Sequence, residues 1–403
     1  MSTSPFSDFL ETNGFVALDG GLATELEAKG ADITGHLWSA ALLHENPSLI
    51  AETHLAYLRA GADVVTTASY QASFDGFLRK GFDRAKANGL FLLSVDLAVQ
   101  ARDQFWHQYQ LEHRQQEQHL QPSISTHAGP RICGQTTGGR CAREEEGPRL
   151  DKSHALGGIT PRIKTRLRPL VAASLGCYGA ALADGSEYRG DYGKSIGVVA
   201  LREWHRERLD VLARAEGVDL VIFETIPCLD EVRAILSLLK QDCYTSLSAV
   251  ICISCENEEH LRSGELVRDF AGLIWPGLCA EKTSSLSVSP LPPTTAAAAT
   301  AAVIGVGVNC TTPQCVAGVL RAKNALKRED TTCETETSAT TTIALVAYPN
   351  SGEEWDATAR DWVKGTGFRH GNGAREFGQM ARDWFEAGAT VIGGCCRTTP
   401  AHI

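Results

Sequence analysis

The sequence predicts an α/β protein whose strands and helices form a (β/α)8 TIM-type barrel, with surface insertions and an incomplete final helix. Eight short apolar segments rich in β-branched residues recur along the 403 residues, and segments of helical periodicity separate them. Most of these segments are apolar throughout, as parallel strands covered on both faces must be. Alternation at this count favours a one-domain barrel, and a doubly wound open sheet is the alternative.

The eight predicted strands follow one another with room for a helix between most neighbours. They are FVALDGG (15–21), DVVTTASY (63–70), LVAASLG (170–176), LVIFETI (220–226), TSLSAVICIS (245–254), VIGVGVNC (303–310), TIALVAYPN (342–350) and ATVIGGCC (389–396). Helical periodicity is clearest around 48–60, 201–215 and 376–387. The chain stops at Ile403, which leaves no sequence for a normal eighth outer helix. Either the segment Phe6 to Leu10 covers part of that gap, or the chain is shorter than a complete barrel.

Three stretches interrupt the alternation, and we predict that they are surface insertions in a single barrel domain spanning 1–403. They lie at about 108–165, 282–301 and 327–341. Their polar or low-complexity composition cannot bury much apolar surface. The first stretch contains several histidines that could bind metal, but their scattered polar spacing favours a solvated loop.

Composition restricts the class of partner and the compartment. The net charge is −10 and the basic residues form no long block, which argues against nucleic acid and anionic membranes and favours a small-molecule substrate. The 13 cysteines are too sparse for a disulfide scaffold, so a reducing compartment fits best. The N-terminal sequence lacks the pattern of a secretory signal, and the uncharged run at about 283–309 is a poor membrane span. We therefore predict a cytoplasmic protein.

Polar residues and cysteines interrupt the apolar pattern at or just after the C-terminal ends of the predicted strands. They are Asp19, Tyr70, Glu224, Cys310, Asn350, Cys395 and Cys396. In a barrel these ends meet at one mouth, where such proteins keep their active sites. Adjacent cysteines rarely bond to each other, because the bond geometry is demanding. We therefore expect Cys395 and Cys396 to lie near Cys310 and to share another partner.

Three thiolates at one mouth in a reducing cell are well suited to bind Zn²⁺. Three protein ligands leave one position of a tetrahedral ion open, as in catalytic zinc sites. Inert, buried cysteines are the alternative. The competing C-x-x-C pair, Cys252 and Cys255, lies at the end of an apolar strand without a second such pair, which favours a packing role.

Eight collinear motifs resemble the homocysteine S-methyltransferase family, in its branch that uses S-methylmethionine or S-adenosylmethionine as methyl donor. The motifs are LDGGLATELEAKG (18–30), LWSAALLHENP (37–47), AGADVVTTASYQAS (60–73), GCYGAALADGSEYRGDY (176–192), FETIP (223–227), GVNCTTP (307–313), YPNSGEEWD (348–356) and IGGCCRTTPAHI (392–403). The resemblance implies a barrel enzyme with one Zn²⁺ per chain, no organic cofactor, and Cys310, Cys395 and Cys396 as ligands. The chain departs from the family in its three insertions and its early C-terminus.

The implied reaction is methyl transfer to the thiol of L-homocysteine, which forms L-methionine. Zinc would bind the substrate sulfur and hold it as the thiolate, which is the form that attacks well. Trp38 and Tyr70 are candidates to place ring faces near the sulfonium donor, with ordinary packing as the alternative. No protein side chain is expected to act as the nucleophile.

The amino-acid part of homocysteine needs groups that bind an ammonium and a carboxylate. Glu224 and Asp19 can accept hydrogen bonds from the ammonium, and the N–H groups of Gly20 and Gly21 can approach the carboxylate. Structural ion pairs are the alternative for the two carboxylates. Asn309 is a candidate to orient a ligand or the substrate, with turn formation as the alternative.

Two other functions remain open at the level of sequence. One is a homocysteine enzyme of the cobalamin- or betaine-using type, which shares the three cysteines, but no folate or cobalamin domain follows and ADGSEYRGDY is intact. The other is a non-catalytic zinc- or thiol-binding relative, inactivated by the missing C-terminal helix.

Overall fold

The computed structural model describes most of the chain. The described residues are 5–35, 37–120, 166–244, 247–274, 303–328, 343–353, 355–356, 361–363, 366–367 and 373–403. The chain divides into two compact units. One unit combines Met1–His107 with Arg168–Ile403, and the other is Gln108–Leu167.

The first unit contains a barrel of eight parallel strands, as predicted. The barrel strands are β1 (Val16–Ala17), β2 (Val64–Thr66), β3 (Leu170–Gly176), β4 (Leu220–Ile226), β5 (Ala249–Ile253), β6 (Val303–Asn309), β7 (Ala344–Tyr348) and β10 (Val391–Ile392). Their spatial order is β1-β10-β7-β6-β5-β4-β3-β2, and a parallel bridge between Leu18 and Val64 joins the two ends. A small antiparallel pair, β8 (Trp355–Asp356) and β9 (Asp361–Trp362), was not predicted, because two-residue strands carry no measurable periodicity.

Helices alternate with the barrel strands. They are α1 (Pro5–Asn13), α2 (Leu22–Ala28), α3 (Leu42–Glu45), α4 (Pro47–Ala60), α5 (Phe74–Arg79), α6 (Arg84–Leu120), α7 (Tyr178–Leu182), α8 (Gly193–Ile196), α9 (Val198–Leu212), α10 (Leu229–Leu239), α11 (Val267–Ile274), α12 (Pro313–Arg328) and α13 (Gly373–Glu386). Short 3₁₀ helices occur at Trp38–Ala41, Ser186–Tyr188, Asp242–Tyr244 and Pro400–His402. The three segments with the clearest helical periodicity therefore correspond to α4, α9 and α13.

Local sequence explains where these elements begin and end. The side chain of Asn46 caps α4 by accepting a hydrogen bond from the Leu49 N–H (3.4 Å), and Pro47 occupies the first turn, where its missing N–H costs nothing. Gly61 ends the same helix with φ of 128°, a backbone conformation that glycine adopts readily. All seven residues of β3 and all seven of β4 are buried, which accounts for their continuously apolar sequences.

The second unit begins inside α6. This helix runs on to Leu120, so the first part of the stretch predicted as an insertion at about 108–165 is helical. The reason is that its many Gln, Glu and Leu residues are good helix formers, and a polar composition does not exclude a solvated helix. Within this unit the Arg166 N–H donates to the Tyr109 hydroxyl (2.9 Å). The remainder of that insertion, and nearly all of those at 282–301 and 327–341, lie outside the described residues.

The N- and C-terminal segments both lie in the first unit. Helix α1 contacts β1 and buries Phe6 and Phe9. Among described residues 391–403, β10 is followed by the 3₁₀ helix Pro400–His402 and by no α-helix. In the part of the chain that the structure describes, no helix is long and apolar enough to cross a membrane.

Candidate metal and substrate site

Three thiols meet at the C-terminal mouth of the barrel. Cys310 follows β6, and Cys395 and Cys396 follow β10. The Sγ atoms of Cys310 and Cys396 are 3.8 Å apart, those of Cys395 and Cys396 are 4.0 Å apart, and all three lie within 4.8 Å of one another. A tetrahedral Zn²⁺ with Zn–S bonds of about 2.3 Å separates its sulfur ligands by about 3.8 Å. The spacing of the thiols therefore fits a metal ion of this size.

The backbone turns sharply out of the sheet at these cysteines. Cys310 has φ of 47° and Arg397 has φ of 66°, both in the left-handed region. The Thr398 N–H and hydroxyl both donate to the Cys395 carbonyl, at 3.2 and 2.6 Å. Neighbouring side chains alternate between faces only within a strand, so Cys395 and Cys396 can both approach Cys310 after the turn.

Hydrogen bonds fasten the C-terminal tail to the rest of the barrel. Thr398 is fully buried, its hydroxyl accepts from the Gly21 N–H (3.1 Å), and its carbonyl accepts from the Tyr57 hydroxyl (3.1 Å). The Arg397 N–H donates to the Thr24 hydroxyl (2.8 Å), and the Arg397 guanidinium donates to Glu353 Oε2 (2.5 Å). The short tail is thus held by the two residues that directly follow the cysteine pair.

Glycines near the tail permit close contact between backbones. A Cβ at Gly21 would lie 2.5 Å from the Cys395 carbonyl oxygen, and one at Gly394 would lie 2.2 Å from the Thr398 hydroxyl. Both distances are too short for any side chain. The Gly394 position therefore makes room for Thr398, and the Gly21 N–H that was expected to meet the substrate carboxylate is already bonded to that threonine.

The thiols share negative charge. Hydrogen bonds from Cys395 and Cys396 hold the pKa of Cys310 well below its ordinary value, and the nearby Arg262 guanidinium lowers it further. The same pairing raises the pKa values of Cys395 and Cys396. The guanidinium also donates to the Cys310 carbonyl (3.4 Å), while the Tyr188 hydroxyl lies 3.9 Å from Cys310 Sγ.

A cavity of about 830 Å³, counting the part open to solvent, adjoins the thiols. It brings together nearly all of the predicted site residues: Asp19, Gly20, Gly21, Trp38, Tyr70, Glu224, Cys310, Cys395 and Cys396. The predicted residue that it does not include is Asn309. Their convergence from five different strand ends and from the segment after α2 follows from the barrel topology.

The two carboxylates predicted to bind substrate lie in this cavity. Asp19 accepts hydrogen bonds from the Thr66 N–H (2.8 Å) and hydroxyl (3.1 Å), and the Ser174 hydroxyl donates to Glu224. Burial raises the pKa of Asp19 to about 8 and that of Glu224 to about 7, although the hydrogen bonds act in the opposite direction. Both groups therefore favour a partner with positive charge.

Asn309 is fully buried behind the cavity wall. Its side-chain oxygen accepts from the Thr225 N–H (2.7 Å), and its amide donates to the Thr225 hydroxyl (2.8 Å). The same amide nitrogen lies 3.9 Å from Cys395 Sγ. Thr225 has φ of 59°, a strained conformation for a β-branched residue, so Asn309 stabilises the backbone beside Glu224 rather than facing the cavity.

Several cavity residues had no role in the sequence prediction. They are Thr66, Thr67, Gln71, Ser174, Glu187, Tyr188, Thr225 and Tyr348. Glu187 and Tyr188 lie in the 3₁₀ helix after α7, within the motif GCYGAALADGSEYRGDY (176–192), so the family resemblance was the signal that could have found them. Ser174 could not be found in this way, because a single serine inside an apolar strand carries no periodic signal.

The other cysteine pair and His54 lie outside the thiol cluster. Cys252 and Cys255 are fully buried at the end of β5, and the Cys255 N–H donates to the Thr311 hydroxyl (2.9 Å). His54 is fully buried in α4, and burial lowers its pKa to about 4, so its imidazole is neutral.

Comparison with known proteins identifies the family. The profile of one family, described as homocysteine S-methyltransferase, matches residues 16–403. Homocysteine S-methyltransferase 1 of Zea mays is 38% identical over 390 residues, which cover 97% of this chain and 92% of that protein. The chain belongs to the homocysteine S-methyltransferase family. The matched region contains every candidate site residue described above.

Solved structures of a family member have the same fold. The homocysteine methyltransferase MmuM from Escherichia coli, in its oxidized form, is 31% identical and superimposes with a TM-score of 0.66, covering 99% of this chain and 97% of that one. Its metallated form is also 31% identical, with a TM-score of 0.62 and the same coverage. MmuM thus exists in a metal-bound form. In the present chain, Cys310, Cys395 and Cys396 form a cluster that could hold a metal ion.

Proposed function

We propose that this enzyme transfers a methyl group from S-methylmethionine or S-adenosylmethionine to the thiol of L-homocysteine, forming L-methionine, and that it depends on one Zn²⁺ held by Cys310, Cys395 and Cys396. The observation that carries the proposal is the convergence of three thiols, at 3.8 and 4.0 Å spacing, on a cavity lined by carboxylates. Membership of the homocysteine S-methyltransferase family supports it. A thiol substrate and a soft three-sulfur ligand set are chemically matched.

A zinc ion held by Cys310, Cys395 and Cys396 would supply a Lewis acid that lowers the pKa of the substrate thiol. The protein residues keep the ligand set in place. Tail contacts through Thr398 and Arg397 hold Cys395 and Cys396, and Arg262 places a positive charge beside Cys310. The proposed reaction needs no organic cofactor.

The amino-acid part of homocysteine would bind through Asp19 and Glu224. These carboxylates lie close enough for the charge of Glu224 to raise the pKa of Asp19. An ammonium group between them would relieve this repulsion and donate to both. The carboxylate of the substrate would approach the β1–α2 turn at Gly20, since the neighbouring Gly21 N–H is bonded to Thr398.

Methyl transfer itself needs alignment and exclusion of water. The substrate sulfur forms a bond to the methyl carbon while the carbon–sulfur bond of the sulfonium breaks, so the donor leaves as a neutral thioether. A thiolate and a sulfonium thereby lose their charges, which is favoured where water is excluded. Trp38 and Tyr70 line the cavity and would place aromatic faces near the sulfonium.

The proposal extends to the setting of the enzyme. We propose a single homocysteine-binding barrel domain with insertions at its surface and a cytoplasmic location. The 13 cysteines of the chain are too sparse for a disulfide scaffold, which supports a reducing compartment. Small molecules are the proposed partners.

The test is to incubate the zinc-loaded enzyme with homocysteine and each methyl-labelled donor, and to measure labelled methionine and bound metal. Cys310→Ser should lose both metal and activity. Cys252→Ser is the matched control, because it removes a buried thiol from β5 outside the cluster and should keep both. Methionine formation at an unchanged rate after complete zinc removal would refute the zinc requirement.

A further inference from the structure

The cavity of this enzyme is strongly acidic. It is lined by three carboxylates, those of Asp19, Glu187 and Glu224, and by the three thiols. Among the described lining residues there is no lysine, arginine or histidine. A cavity with this lining selects positively charged ligands, because each buried anion needs a compensating charge.

Glu187 differs from the other two carboxylates in its hydrogen bonding. Its side chain is buried, and its Oε2 atom has no hydrogen-bond partner among the described residues. Asp19 and Glu224, in contrast, accept hydrogen bonds from Thr66 and Ser174. Burial raises the pKa of Glu187 to about 7, as expected for a carboxyl group whose charge is not compensated.

Arg189 is a cation that interacts electrostatically with Glu187, but its side chain is directed to the surface. Its guanidinium is about half exposed and pairs with Asp191 at 3.3 Å and Asp184 at 4.0 Å. The largest electrostatic repulsion on Glu187 comes from Cys310, which lines the same cavity. Among the described residues, Glu187 therefore forms no ion pair, because Arg189 pairs with Asp191 and Asp184 instead.

The loop that carries Glu187 is firmly held. Glu231 on α10 accepts from the Tyr178 N–H (2.7 Å) and the Tyr192 hydroxyl (2.5 Å), which fixes both ends of the segment between β3 and α8. Inside the loop, a Cβ at Gly179 would lie only 2.6 Å from the Glu187 nitrogen, so the two backbones are in direct contact. The backbone position of Glu187 is thus set by the fold and does not depend on a ligand.

We propose that Glu187 is the residue that binds the positively charged sulfonium group of the methyl donor. The inference rests on the proposed function and assigns one residue of its donor subsite. Two of the other positive charges of the reaction have other partners, since the thiols hold the metal and Asp19 with Glu224 receives the homocysteine ammonium. The donor's own ammonium is also present in methionine, so the comparison of S-methylmethionine with methionine below separates it from the sulfonium.

The chemistry of a sulfonium matches the free oxygen of Glu187. A sulfonium carries positive charge but no N–H or O–H, so it needs an opposite charge rather than a hydrogen-bond acceptor with a fixed direction. It must also lie beside the thiol cluster for its methyl group to reach the substrate sulfur, and Glu187 interacts electrostatically with Cys310 there. After transfer the donor is a neutral thioether, and its attraction to Glu187 disappears, which favours release.

The test compares binding of a sulfonium and its thioether counterpart to the zinc-loaded enzyme. S-methylmethionine and methionine differ by one methyl group and one positive charge. Calorimetric affinities for both would be measured for the wild type, for Glu187→Gln, and for Asp191→Asn, which removes a carboxylate from an exposed position of the same loop. Steady-state KM values for donor and homocysteine would be measured alongside.

We expect Glu187→Gln to weaken S-methylmethionine binding on the order of 10- to 100-fold, the range for losing one partly screened charge pair, with methionine affinity and homocysteine KM unchanged. Asp191→Asn should behave as wild type. An unchanged ratio of sulfonium to thioether affinity in Glu187→Gln would overturn the inference, as would equal weakening of both ligands. If the wild type forms no methionine with either donor, the proposed function fails as well, so the two failures are distinguishable.

Discussion

Replacing Asn309 by alanine should weaken both the fold and the metal site, although this residue does not line the cavity. In the native structure its amide group bridges β6 and β4 through two hydrogen bonds to Thr225, at 2.7 and 2.8 Å. Both residues are almost fully buried, so no water can replace the lost partner easily. The third contact of this amide is Cys395 Sγ, at 3.9 Å.

The size of the effect follows from these contacts. A buried N–H left without an acceptor costs about 1–3 kcal/mol, and Thr225 would also lose the bonds that hold its left-handed backbone, itself strained by about 1–3 kcal/mol. Relaxation recovers part of this sum, so we expect the free energy of unfolding to fall by about 2–4 kcal/mol. Loss of the donor to Cys395 should lower metal affinity about 10- to 100-fold, as for other groups that orient metal ligands.

Urea unfolding and zinc competition with a chelator would measure the two effects. Asn350→Ala is the control, because it also removes a buried amide near the mouth, but one whose oxygen accepts from the nearby Gly352 N–H (3.0 Å). If Asn309→Ala retains zinc affinity and unfolds within about 0.5 kcal/mol of the wild type, the bridge has no energetic role and the reasoning is wrong.

Two further predictions concern buried charges. The pKa of Asp19 is raised from 3.8 to about 8, so between those pH values the folded state keeps a proton that the unfolded chain releases. The free energy of unfolding of the metal-free protein should therefore fall as pH rises, by at most about 1.4 kcal/mol per pH unit from this group. Asp19→Asn should reduce that slope in urea titrations from pH 5 to 8, and equal slopes for both proteins would contradict the assignment. Glu231→Ala removes the acceptor shared by Tyr178, Tyr192 and His205, and should destabilise the protein by about 3–5 kcal/mol in urea unfolding, whereas Glu256→Ala at an exposed position should have little effect.

Much of the barrel could be predicted because its strands are buried on both faces. β3 and β4 read as continuous apolar runs, and the structure gives them the predicted limits of Leu170–Gly176 and Leu220–Ile226. The shorter strands were predicted with too many residues, since β1 and β10 have only two residues each. The apolar residues beyond them pack in loops, and an apolar pattern cannot separate a loop residue in the core from a strand residue.

The sequence by itself determined the alternation of strands and helices and the placement of Cys310, Cys395 and Cys396 at strand ends, because burial and strand direction are recorded in residue order. Only the tertiary structure decided which polar atoms remain available for ligands. The Gly21 N–H is bonded to Thr398, whereas Glu187 has an oxygen without a hydrogen-bond partner among the described residues. The bond between Gly21 and Thr398 joins residues 377 positions apart, and a hydrogen bond over that separation leaves no pattern in the local sequence.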